Sequence, residues 1–326
     1  MEKKIVTSLS EATRSLICST AVANRKQYDY DLIASVDKEL AARVQAFFQQ
    51  WPMYNDGLLH RKMRTKILSG LRSHIYSNRE AVRGYLKKFF LRDEITLVDI
   101  QECVLFWHAN YFGIDVDADA HLRCASEALI DLVIFRNFSK ISEARRSLEY
   151  VSTFLDSANF DEEGLIGLLV RDGNQPGAVM NLLVDSYTPM TAAAGNVLFR
   201  AGQMRSRDLS ATRDRENFIL QALAEAPPFG LITRMVPEGN EVKWLVVDVL
   251  QCNAELVTNP REGKPLGLTF GAGPHTCLGY RATMDFLDDL LVAATTADFS
   301  RNFVVSGSLH CQPPVSRIEN FHALRI

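Results

Sequence analysis

The chain has 326 residues, 47% of them hydrophobic and 23% charged, with 36 basic and 39 acidic side chains and a formal charge of −3. That is globular composition with apolar material for a large core, and the charge balance argues for neither a nucleic-acid partner nor an anionic membrane surface. No run approaches 18 apolar residues, and Ser8, Ser10, Glu11 and Arg14 interrupt any leader behind Met1-Glu2-Lys3-Lys4, so a cytoplasmic protein with no membrane span is expected.

Apolar residues at helical spacing predict a series of helices. Asp37 to Trp51 places Leu40, Val44, Phe47 and Phe48 on one face. Ile67 to Phe90 continues the pattern through Leu71, Ile75, Val82, Tyr85 and Phe89, followed by Thr96–Tyr111, Asp119–Phe135, Ser142–Leu155 and Glu162–Val170. Arg171-Asp172-Gly173-Asn174-Gln175-Pro176-Gly177 reads as a loop, with Pro176 placed to start a helix. From Ala178 to Ala201 the chain is apolar nearly all round, as expected of a helix in the middle of a large protein. Glu216 to Ala226 is a further helix, stopped by Pro227-Pro228.

After Pro228 the pattern changes. Leu231–Val236 and Val242–Val247 read as strands, joined by Pro237-Glu238-Gly239-Asn240 into a hairpin. Turn residues continue through Asn259-Pro260 and Gly263-Lys264-Pro265. Tyr280–Thr295 returns to helix, and Val304–Ile326 reads as short strands and loops. The sum is a mainly α protein with a small β-rich part late in the chain, read as one domain over 1–326.

Cys18, Cys103, Cys124, Cys252, Cys277 and Cys311 form no CxxC pair and no disulfide framework, which fits a reducing compartment. One of them stands out. Gly271 and Gly273 precede Cys277 and a helix follows it, so nearby N–H groups and the helix dipole favour a thiolate. A buried cysteine in a turn is the plain reading; a zinc site using His275 and Cys277 lacks two further ligands nearby.

The run Phe270-Gly271-Ala272-Gly273-Pro274-His275-Thr276-Cys277-Leu278-Gly279 meets FGxGxHxCxG at all six fixed positions. It resembles the heme-binding signature of the cytochrome P-450 superfamily, whose cysteine ligates the iron of heme b. The resemblance implies that Cys277 is the metal ligand, with Phe270, His275 and Gly279 among the cofactor-binding residues. Asp56 to Arg64 is similar to the family's helix with a His-x-x-x-Arg pair, which puts His60 and Arg64 one turn apart toward a heme propionate. Arg234, after Pro227-Pro228, matches another propionate contact of the family.

Three departures accompany the match. Ile5-Val6-Thr7 through Cys18 resembles the family's strand and B helix, so the fold is expected to be cytochrome P-450-like and N-terminally shortened. The family's Glu-x-x-Arg pair, which in the family braces the core near the heme loop, falls on Gln221 and Ala224, where no ion pair can form. Over the distal heme face, Leu183 to Thr191 aligns with the family's Ala-Gly-x-(Asp/Glu)-Thr, putting Thr188 in place of the acid and Pro189 in place of the alcohol. A shift by one gives Pro189 and Met190, so neither register restores the pair.

Pro189 is expected to bend or open this helix. Asp185, Tyr187, Thr188 and Thr191 are polar groups on an otherwise apolar segment and are the candidate catalytic residues, the alternative being mutual satisfaction at the kink. The resemblance implies a heme-thiolate oxidoreductase of monooxygenase type. It would tailor a small metabolite in natural-product biosynthesis with electrons from a ferredoxin-type donor. The alternatives are a peroxide-dependent enzyme, a redox-neutral isomerase or dehydratase, and a non-catalytic helper of a partner enzyme. By the same resemblance, substrate would meet residues 19–54, the central helix, Phe229–Thr233 and Val304–His310.

Overall fold

Helices dominate the computed structural model, which describes residues 3–17, 26–74, 76–133, 137–156, 160–204, 209–238, 241–258, 267–312 and 315–326. The chain begins with β1 (Lys3–Val6), α1 (Leu9–Ile17), α2 (Lys26–Ala34), α3 (Lys38–Phe48), α4 (Gly57–Ser73) and α5 (Arg79–Phe89). A short β2 (Glu94–Thr96) leads into α6 (Leu97–Phe112), α7 (Val116–Val133), α8 (Ile141–Thr153) and α9 (Leu165–Arg171). Next come α10 (Pro176–Val184), α11 (Tyr187–Gln203) and α12 (Thr212–Glu225), then β3 (Leu231–Glu238), β4 (Glu241–Asp248) and α13 (Val249–Thr258). The chain closes with α14 (Tyr280–Thr296), α15 (Phe299–Asn302), β5 (Phe303–Gln312) and β6 (Val315–Arg325).

The chain folds into two compact units interleaved in sequence. One comprises Met1–Ala21, Asn78–Trp107 and Pro189–Ile326; the other comprises Val22–Ser77 and His108–Thr188. The first holds both sheets. In one, β4 lies between β1, to which it is parallel, and β3, to which it is antiparallel. In the other, β6 lies between β2 and β5, antiparallel to both. Val6, Ala12, Leu16, Leu245, Val247, Val249, Cys252 and Leu268 form a buried cluster under the first sheet. It sets α1 and α13 against the strands, because the inward-facing residues of β1 and β4 need an apolar cover.

The second unit is helical. Its α3 starts where the Asp37 carboxylate accepts the Leu40 N–H at 2.9 Å, and it buries Leu40, Val44, Phe47 and Phe48. Pro176 occupies the first position of α10, where a missing N–H costs nothing. As expected for a central segment, α10 is buried nearly all round.

Three expectations are corrected. Ile67–Phe90 is not one helix: α4 ends at Ser73 and α5 begins at Arg79. Ser77-Asn78, which favours a helix start over continuation, lies inside the apolar pattern that concealed the break; Ile75 lies outside the described residues. Ala178–Ala201 is likewise two helices, parted at Asp185–Ser186 rather than kinked at Pro189 itself. The proline explains the location. Its ring would clash with the carbonyl four residues earlier, that of Asp185, so the helix restarts with Pro189 in its first turn. The tail forms a long hairpin of 10- and 11-residue strands, irregular between Ser306 and Ser308. Ser306, Ser308 and His310 are exposed and interrupt the apolar pattern by which strands are recognised.

The expected hairpin of β3 and β4 is present, paired from Leu231 with Asp248 to Glu238 with Glu241. The turns at Asn259-Pro260 and Gly263-Lys264-Pro265, and Gly239-Asn240, lie outside the described residues. Among the described residues no helix is long and apolar enough to cross a membrane.

Candidate heme-thiolate loop and the central helix break

The Cys277 loop is built in the first unit. Gly271 and Gly273 have φ of 73° and 70°. A Cβ on Gly273 would stand 2.6 Å from the Leu16 carbonyl oxygen, so glycine is required there both by conformation and by space. The loop closes on itself: Gly271 donates its N–H to Leu268 O at 2.9 Å, and Cys277 donates its N–H to Phe270 O at 2.8 Å. Thr276 folds back on Gly273 O through both its N–H and its hydroxyl. The Phe270 ring packs edge-on against Tyr280, the first residue of α14.

Cys277 is exposed, two residues ahead of Gly279, which caps α14. A side chain begun at Gly279 would approach the sulfur to 3.8 Å. The helix behind the cysteine is fixed. Asp289, 4% exposed, accepts from Arg79 and Arg83 of α5, and Asp288 pairs with Arg215 of α12 at 2.6 Å. His275 lies within the loop and Arg234 on β3, both half-buried. Cys103, Cys124, Cys252 and Cys277 form no disulfide.

The second unit carries the other residues that the sequence singled out, except Thr191, which belongs to the first. His60, 2% exposed, and Arg64 sit one turn apart on α4. Asp185 ends α10, and Tyr187 and Thr188 open α11, with Thr191 one turn on. The Asp185 carboxylate accepts from the Asn181 amide, and burial pushes its pKa up to about 7 despite that hydrogen bond. It lines a small cleft with Phe48, Trp51, Met53, Tyr54 and Val184.

The break also holds residues that the sequence did not reveal. His108, fully buried near the end of α6, has its Nδ1 at 2.9 and 3.0 Å from the two oxygens of Asp119, equally buried on α7. Its Nε2 lies 2.7 Å from Ser186 Oγ, and that hydroxyl is also 2.8 Å from Leu183 O. Tyr187 stacks on the His108 ring and donates its hydroxyl to Asp119. Burial and the Asp119 charge hold the Tyr187 phenol well above its ordinary pKa, so it stays a donor. Tyr187 is therefore committed to a buried partner, while Asp185, Thr188 and Thr191 are half-buried. His108 sits within an apolar helical face and Asp119 among several acids of a first turn, so neither spacing nor composition sets them apart.

The donor set of the loop fits heme. Among the described residues no three or more His, Cys, Asp or Glu side chains gather as a metal site, so Cys277 offers a single thiolate. One protein donor suits a metal whose other ligands come from a macrocycle.

No family model matches the chain, and no curated protein sequence matches it. Solved structures do. Cytochrome P-450 BioI, solved with an acyl carrier protein ligated to hexadec-9Z-enoic acid, is 13% identical, with 99% of this chain and 91% of that one covered at a TM-score of 0.76. Cytochrome P-450 RauA, complexed with a biosynthetic intermediate of aurachin RE, is 17% identical, with 99% and 91% covered and a TM-score of 0.73. A thermophilic cytochrome P-450 from Sulfolobus tokodaii is 18% identical, with 99% and 94% covered and a TM-score of 0.67. At such low identities the likeness speaks for architecture, and on it this chain has the cytochrome P-450 fold.

Proposed function

We propose that the protein is a heme-thiolate oxidoreductase that hydroxylates, or otherwise oxidises, a small metabolite in a biosynthetic pathway. The observation that carries this reading is the Cys277 loop, a complete signature held in a closed, glycine-dependent turn on the matching fold. Heme b, when bound, supplies an electron-rich iron suited to cleaving an O–O bond. Cys277 is its protein ligand. Phe270 holds the Cys277 N–H through its carbonyl, and Gly279 lies beside the sulfur, where a Cβ would come to 3.8 Å. Arg234, His275, His60 and Arg64 are the propionate contacts, since guanidinium and imidazole groups neutralise carboxylates that would otherwise be buried unpaired.

Asp185, Thr188 and Thr191 handle protons and polar substrate groups at the helix break, and Tyr187 acts through Asp119 and His108 by position. A ferredoxin-type protein donates electrons. That RauA was solved with a biosynthetic intermediate supports a small metabolite as substrate. A second reading is favoured by one observation, the proline where the family has its alcohol: the enzyme uses a hydroperoxide, or isomerises or dehydrates without external electrons.

The test is the reduced carbon monoxide complex of the hemin-reconstituted protein. The red-shifted band of a thiolate ligand is the expected result; failure to bind hemin overturns both readings. Turnover with peroxide but not with dioxygen, ferredoxin and reductase selects the second.

A further inference from the structure

We propose that Asn253 and Thr269 are positioning residues that brace the Cys277 loop against the end of α12, filling the role of the ion pair that Gln221 and Ala224 cannot form. This rests on Cys277 being the iron ligand. Gln221 is exposed and donates to Glu225, and Ala224 has no polar side chain, so neither reaches the loop through a charge.

The brace is neutral and fully connected. Asn253, 0% exposed on α13, accepts the Leu268 N–H through Oδ1 at 2.8 Å. Its amide nitrogen donates to Ala224 O at 3.4 Å and to Thr269 Oγ1 at 3.2 Å. Thr269 Oγ1 donates in turn to Leu223 O at 3.0 Å. Two of the last carbonyls of α12, which no intrahelical N–H can reach, thus receive side-chain donors. Asn196 supplies a third donor, to Ala226 O.

From there the connection runs to the cysteine by backbone alone. Leu268 and Thr269 are held by Asn253; Leu268 O accepts from Gly271, and Phe270 O accepts from Cys277. Gly267 belongs to the same construction. A Cβ there would stand 2.3 Å from Asn253 Oδ1, and the residue has φ of 42°, so the close approach that lets Asn253 reach Leu268 N demands glycine. A buried ion pair must offset the desolvation of two charges, whereas an amide and a hydroxyl with every polar atom matched carry no such cost.

The test uses full-length Asn253→Leu, Thr269→Val and Thr269→Ser, with Phe299→Leu as a control that thins the buried core of the same unit. Two readouts are compared with the thermal midpoint. One is the rate of amide hydrogen exchange over residues 268–277 before hemin is added, where the Leu268, Gly271 and Cys277 N–H groups are hydrogen-bonded, followed by mass spectrometry. The other is the share of the reduced carbon monoxide complex that shows the thiolate band. Asn253→Leu and Thr269→Val should raise the exchange rate roughly fivefold, as expected for one or two lost hydrogen bonds, and lower the thiolate share. Thr269→Ser, which keeps the hydroxyl, should restore both, and Phe299→Leu should lower only the midpoint. If Asn253→Leu and Thr269→Val behave like Phe299→Leu, with both loop readouts at wild-type values, the brace is refuted. A wild-type protein that binds no hemin defeats the heme reading, and the exchange rates still decide the brace.

Discussion

The cysteine loop and the break between α10 and α11 are built on opposite principles. The loop takes its shape from backbone: two glycines at positive φ, carbonyls meeting N–H groups, and a reactive side chain left exposed. The break takes its shape from buried side chains. Ser186, His108, Asp119 and Tyr187 are drawn from three separate stretches of chain and satisfy one another. A site of the first kind is written in consecutive residues, and one of the second kind only in the fold.

The sharpest way to break this contrast is at the cysteine. Cys277→Ala should abolish the thiolate spectrum entirely while leaving the thermal midpoint of the heme-free protein near that of wild type, because the side chain is exposed. A variant that keeps the spectrum would move the ligand elsewhere. The matching experiment at the break should do the reverse. Asp119→Ala leaves the buried His108 and Tyr187 without their shared acceptor, which should cost about 3 kcal/mol in denaturant unfolding. An equal response at both sites would erase the distinction.

This difference also sets what could be read in advance. The signature from Phe270 to Gly279, the His60 and Arg64 spacing and the β3–β4 hairpin are local patterns, and local patterns survive in a sequence. The central break was half legible. Pro189 announced a disturbance, but its steric conflict lies four residues upstream, so the helix parts at Asp185. His108 and Asn253 carried no signal because each looks like an ordinary polar residue in a helix. Only partners brought from 78 positions away, as Ser186 is to His108, give it a role. The replacement for the missing Glu-x-x-Arg pair was equally hidden, since α13 lies beyond the helix that normally carries it.

A smaller effect separates Asp185 from the rest of its cluster. Its folded pKa is raised from 3.8 to about 7, so the folded state binds that proton more tightly than the unfolded chain does. The stability this contributes is complete below the unfolded pKa and is lost as pH rises through the folded one. Asp185→Asn keeps an acceptor for the Asn181 amide and removes the titration. It should match wild type near pH 4 and exceed it above pH 7, with the gap opening between the unfolded and the folded pKa. A gap that stays constant with pH would mean that the carboxyl is not desolvated in the folded protein.

The smallest expected effect is the most informative about how the break is held. Pro189→Ala restores an N–H and removes the ring that conflicts with the Asp185 carbonyl. If the proline alone parts the two helices, α10 and α11 should fuse, with a gain in far-ultraviolet helicity. The geometry argues otherwise. Ser186 Oγ reaches both His108 Nε2 and Leu183 O, and the Tyr187 phenol is fastened to Asp119, so fusing the helices would have to displace a buried hydrogen-bonded set. Displacing it costs more than the few backbone bonds gained. Pro189→Ala should therefore leave helicity unchanged and shift stability by less than about 1 kcal/mol, since the residue sits in a first turn where its N–H has no intrahelical acceptor. Combined with Ser186→Ala, which removes one arm of the set, the same substitution should let the helicity rise. That ordering would divide the work: the proline places the break, and the side-chain network holds it open.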